Sequence, residues 1–151
     1  MMKKINILAL LIITSLISGC GFHTPYKNSA LNAYIVSDNN NIFAKELSKR
    51  FDQNLNKRLV VHIGQESAKK QTASYNSSGK TSSYTISVSV PVKVFDLDKK
   101  LLFSKNMSAS SHLGKMSSNQ ADRLQVDETY TQLRQTIIKK LIRRLNRLNE
   151  N

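Results

Sequence analysis

The sequence predicts an α/β two-layer sandwich: a mixed four-stranded sheet with two helices on one face, in the order β-α-β-β-β-α. Three observations predict it. From Tyr84 to Val94 apolar residues stand at every second position, the period of a half-buried strand. Phe43, Leu47, Phe51 and Leu55 recur every four residues, and Val126, Tyr130, Leu133, Ile137, Leu141, Leu145 and Leu148 repeat at helical spacing, giving two apolar stripes. A sheet with one apolar face must bury it against a second layer, and the two stripes supply that layer.

The elements follow in order. Ala33 to Ser37 is a short first strand, and Asp38 to Asn41 is an Asx-rich stop able to cap a helix. The first helix runs from about Ile42 to Lys57, with Lys45, Lys49 and Arg50 off its stripe on a solvated face. A second strand begins near Arg58, turns Leu59, Val61 and Ile63 inward, crosses a charged section from Glu66 to Lys70, and resumes at Ala73 and Tyr75. After a Ser77-Ser78-Gly79-Lys80 tip the third strand spans Ser82 to Phe95. Pro91 has no N–H for a ladder bond, so this strand is expected to be an edge or to bulge there.

Past an Asp96–Lys99 turn, the fourth strand turns Leu101, Phe103, Met107 and Ala109 inward and Ser104, Asn106, Ser108 and Ser110 outward. With Thr85, Ser87 and Ser89 these outward residues make a small, polar, nearly uncharged sheet face, suited to water or to another protein's wall. The last helix begins at Asn119. Its stripe is widened by Ile138 and Ile142, while Lys139, Lys140, Arg143, Arg144 and Arg147 fall mostly away from it.

The N-terminus sets the compartment. Lys3 and Lys4 precede an apolar run from Ile5 to Ile17, about 20 Å long as a helix and too short to span a bilayer core of about 30 Å. It reads as a secretory signal over residues 1–19. Leu16-Ile17-Ser18-Gly19-Cys20 resembles a bacterial lipobox, with Cys20, the only cysteine, as the lipidated first residue of the mature chain. Covalent N-acyl and S-diacylglycerol chains there would give lasting attachment, and resemblance to bacterial lipoproteins implies that Gly21, in place of Asp, favours sorting to the outer membrane. Residues 20–32 then form a tether and residues 33–151 a single domain.

Charge narrows the partners. The chain carries a net charge of +13, and loss of a signal holding two lysines and no acid leaves +11. For an exported protein this points away from nucleic acid and toward phosphate-bearing lipid or glycolipid, met by Lys and Arg through charge-assisted hydrogen bonds. Gly79-Lys80-Thr81 matches the close of a Walker A loop, but Ser74 stands where its first glycine belongs and a strand follows where a helix is needed. His23, His62 and His112 have no metal-ligand spacing, and no nucleophile motif is present, so the sequence predicts a binding protein with no cofactor rather than an enzyme.

Cys20-Gly21-Phe22-His23 after the lipobox, the "TASYNSSGKTSSY" hairpin with its serine-rich flanking strands, and the closing "QTIIKKLIRRL" helix resemble the LptE family of lipopolysaccharide-assembly lipoproteins. That resemblance implies an outer-membrane lipoprotein, facing the periplasm or seated as a plug inside an LptD β-barrel, which helps the barrel assemble and binds lipopolysaccharide during its delivery to the outer leaflet. It also implies one basic contact in the hairpin region and one near the start of the last helix. Ser77 occupies the hairpin position, with Lys80 three residues on; Lys115 and Arg123 are the candidates near the last helix. Thr24-Pro25 depart from the Leu-Arg usual in the family. Two other readings stay open at this point: a pilot-type lipoprotein accessory of another envelope complex, and an envelope hydrolase built from isolated polar residues.

Overall fold

The computed structural model describes residues 31–38 and 40–150. The signal, Cys20 and all but the last two tether residues lie outside these. The domain begins slightly before residue 33: Leu31 is buried in the core and Asn32 opens the first strand.

Strand β1 (Asn32–Val36) lies parallel to β2 (Lys57–Ile63), and parallel neighbours require a crossover, here helix α1 (Ile42–Ser48). Asn41 caps α1, its Oδ1 accepting from the Ala44 N–H at 3.0 Å, as the Asx-rich stop predicts. The helix is far shorter than its apolar spacing suggests. Phe43 and Leu47 are buried within it and Phe51 is buried beyond it, but Leu55 is exposed. The reason is local. Asp52 Oδ1 accepts from the Asn54 N–H and the Asp52 N–H donates to Leu31 O, a turn that competes with continued helix. Arg50 is not on a solvated face: it donates to Gln135 Oε1 at 2.8 Å, while Gln135 donates to Glu46 Oε2 at 2.8 Å, tying α1 to the last helix.

The expected second strand is two strands in one lane, so the sheet has five strands rather than four. β2 and β3 (Ser67–Tyr75) lie end to end against the same side of β4 (Thr81–Phe95). Ile63 pairs with Val92 and Ser67 with Ser89, so β2–β3 spends one more residue than β4 across the joint. Opposite that joint stands Pro91. β4 is neither an edge nor bulged at Pro91, since it pairs on both sides and its ladder to β5 (Leu101–Gly114) runs through Pro91 and Asn106. Its missing N–H is accommodated by a break in the neighbouring strand. The Gly64 N–H donates to Pro91 O at 2.8 Å, and a Cβ on Gly64 would come within 3.1 Å of Pro91 Cβ, so any larger residue there would press on the proline ring.

The alternation in β4 holds throughout: Tyr84, Ile86, Val88, Val90, Val92 and Val94 all face the core. Helix α2 (Asn119–Asn149) covers β4 and β5, with Val126, Leu133, Ile137, Ile138, Leu141 and Leu145 buried along its stripe. The other sheet face is polar toward the hairpin end, where Thr85, Ser87 and Ser89 stand opposite His112, Ser110 and Ser108. His62 lies on this outer face beside Val60, its ring meeting Phe95 edge-on at 5.1 Å.

Candidate functional site

The β3–β4 hairpin places Lys80. Its tip is built on Asn76, whose Oδ1 accepts from the backbone N–H groups of Ser78 and Lys80 and from the Ser78 hydroxyl. The Gly79 N–H closes onto Asn76 O at 3.0 Å, and Gly79 sits at φ +75°, the left-handed conformation that a side chain resists. The same turn recurs at Asp96–Lys100, where Lys99 takes the left-handed position at φ 63°. Below the first tip, Ser74 hydroxyl contacts to Ser82 and Ser83, at 2.7 and 2.6 Å, knit the two strands together. Lys80 is left exposed at the end of a well-made turn.

The last helix begins at the same end. Ser83 pairs with Gly114, and the Lys115 N–H donates to Ser82 O at 2.9 Å, two residues from Lys80. Ser118 then caps α2, its hydroxyl accepting from the Ala121 N–H. Asp122 in the first turn is buried and makes two contacts: Oδ1 accepts from the Met116 N–H at 3.0 Å, and Oδ2 from Lys70 Nζ at 3.2 Å. Lys70 also lies 3.8 Å from the Tyr84 ring centroid, a cation–π contact on the core face of β3. Asp122 thus fastens β3, the β5–α2 loop and the helix start together, and leaves Lys115 and Arg123 exposed beside it.

Lys80, Lys115 and Arg123, separated by up to 43 positions in sequence, therefore come to one end of the sheet. Neither Lys70 nor Asp122 was found from the sequence. The available signal was parity, because Lys70 falls in register with Ile86 and so on the helix-facing side.

The Met116 N–H, with Lys70 and Lys115 behind it, holds the Asp122 carboxyl below its ordinary value, against the upward push of burial. The unfolded chain then binds that proton more readily, so the contribution of Asp122 to stability is complete above the unfolded value of about 4 and is lost as pH falls through the lower folded value. We predict that Asp122→Asn is less stable than the parent at neutral pH and that the gap closes as the pH falls below the ordinary carboxylate value of about 4 and through the lower folded value. Urea midpoints across that range measure it; a gap of constant size would refute the assignment.

Comparison with known proteins decides the family. The family model described as LptE, lipopolysaccharide-assembly, matches residues 31–147. The chain belongs to the LptE family. The match takes in the hairpin, Lys115, Arg123 and nearly all of α2. Two solved structures show the LptE-type fold at low identity. A crystal structure of rare lipoprotein B from Shewanella oneidensis is similar at TM-score 0.68 and 12% identity, covering 79% of this chain and 96% of that one. A solution structure of a lipoprotein B from Nitrosomonas europaea is similar at TM-score 0.66 and 14% identity, covering 86% and 93%. No curated protein matches the chain in a sequence search.

Proposed function

We propose that this LptE-family chain is an outer-membrane lipoprotein, anchored through Cys20, that binds lipopolysaccharide and works with an LptD β-barrel as its plug and assembly partner. The observation that carries the lipopolysaccharide contact is the gathering of Lys80, Lys115 and Arg123 at the hairpin end, from three separate parts of the chain. Lipid A presents phosphates, and exposed Lys and Arg side chains meet phosphate through charge-assisted hydrogen bonds. The turn built on Asn76 and the Asp122 contacts fix the backbones from which these side chains reach. The reading is non-enzymatic. The serine-rich outer face supports docking inside a barrel, because small hydroxyls can hydrogen-bond to a wall without a charge to desolvate.

The test is a charge-reversed variant carrying Lys80→Asp, Lys115→Asp and Arg123→Asp. We expect its lipopolysaccharide affinity to fall about tenfold to a hundredfold, from roughly 0.5–1 kcal/mol per exposed contact. A second triple variant, Lys45→Asp, Lys49→Asp and Lys100→Asp, all at exposed positions away from the site, makes the same change in net charge and should change affinity little. An unchanged affinity in a folded triple variant would retire the site. Separately, full-length protein extracted from outer membranes in mild detergent is expected to carry a large β-barrel subunit at one-to-one stoichiometry; a different partner would dismiss the plug.

A further inference from the structure

Among the described residues the sheet has three open edges: the free sides of β1, β3 and β5. Two of them are blunted. β1 has only five residues, and β3 carries register breaks at Thr72/Ser74 and Ser74/Tyr75, with Lys69 and Lys70 in the strand. Short length, bulges and lysines are the devices by which sheets avoid recruiting another strand. β5 is different. It runs for 14 residues, holds an unbroken register with β4 from Gly114 to Phe103, and has no proline and a single charged residue, Lys105.

The region beside β5 is also distinctive. A cleft of about 730 Å³ lies between β5 and α2, lined by residues 108–111 of the strand, of which Ala109 and Ser111 are on its helix-facing side, and by Thr129, Gln132, Thr136 and Lys140 of the helix. Lys140 also lines an adjoining hollow with Arg143 and Arg147. No acidic residue occurs in α2 between Glu128 and the helix end. The helix dipole accounts for a cation in the last turn, where Arg147 sits, but its influence fades within that turn and does not reach Lys140.

We infer that β5 is a docking edge for an extended acidic segment of a partner protein, which adds to the sheet as a further strand with its carboxylates toward Lys140, Arg143 and Arg147. Main-chain ladder bonds give such an addition its affinity and the side-chain row its specificity. Charge selects the occupant: a second copy without its signal would bring another +11, whereas an acidic strand offsets the stripe. The inference does not use Lys80, Lys115 or Arg123, so it stands or falls apart from the lipopolysaccharide contact.

The test places a photo-crosslinking amino acid at Ser104, Asn106, Ser108 and Ser110 in turn, in the full-length chain in its own cells, and at Lys69 as the blunted-edge control. An added strand sets its side chains directly beside those of β5. The expected result is crosslinking to one acidic segment, the partner residue advancing by two for each step of two along β5, with none from Lys69. Lys140→Glu with Arg143→Glu should lower the yield about tenfold; if that variant fails to fold, the crosslink register alone decides. Scattered crosslinks, a segment without acidic residues, crosslinks to lipid or to a second copy, or no crosslink at all would overturn the proposal.

Discussion

Phe43→Ala is expected to destabilise the domain by about 3–5 kcal/mol, the usual cost of emptying a fully buried aromatic site. Phe43 is 0% exposed and lies in a helix of seven residues. A helix that short is unstable on its own in water, because nucleation costs more than one or two turns of hydrogen bonds return. α1 therefore persists through the burial of Phe43, Ala44 and Leu47 and through its Asn41 cap. Truncating Phe43 removes the largest of those contacts and leaves a cavity that a seven-residue helix with one anchored face cannot easily fill. In urea the midpoint should fall by about 1–3 M with little change in slope. Amide exchange should show residues 42–48 opening before the sheet does. A loss below about 1 kcal/mol would mean that the site collapses around the alanine and that α1 does not depend on this anchor.

The same helix shows how far the sequence could be read. The 31-residue α2 was legible because its stripe is sustained over many turns, and all seven stripe residues are buried or packed against the core. The end of α1 was not, because Phe51 and Leu55 keep helical spacing while Asp52 forms a turn that only the structure reveals. The joint between β2 and β3 was half legible. Pro91 announced an irregularity, but the irregularity belongs to the chain opposite, at Gly64. For the site, Lys80, Lys115 and Arg123 were reached through resemblance rather than pattern. The groups that hold them, Lys70 and Asp122, are 52 residues apart, and no local period encodes such a pairing.

The joint also carries the second large expectation. Glu66, just before β3, takes the single Arg134 Nε–H between its two carboxylate oxygens, at 2.9 and 2.8 Å, with both side chains only 17% exposed. The bond to Glu66 raises the Arg134 guanidinium above its ordinary value, so Arg134 stays charged wherever the fold exists. Removing the carboxylate leaves a half-buried cation unpaired. Glu66→Ala is therefore expected to cost about 2–3 kcal/mol. Arg134→Met alone should cost a similar amount, and the double variant less than the sum, with a coupling of about 1–3 kcal/mol. Independent, additive losses would show that the pair contributes only packing. The effect should also reach the hairpin. Gly64 to Glu66 link β2 to β3, and this link is held by Asn41 donating to Gly64 O, by Gly64 donating to Pro91 O, and by Arg134 holding Glu66 to α2. Of these, only the Arg134 contact ties the joint to the helix whose first turn is flanked by Lys115 and Arg123. Under the proposed function, loosening it leaves the Lys70–Asp122 contact as the side-chain tie between β3 and the helix start, and Lys80 shifts relative to those two residues to the extent that this one tie yields. Lipopolysaccharide affinity should then fall in Glu66→Ala although Glu66 touches none of the three. Affinity that stays at the parent value in a variant destabilised as predicted would show that the hairpin is held by its own ladder, and that the site is rigid without the joint.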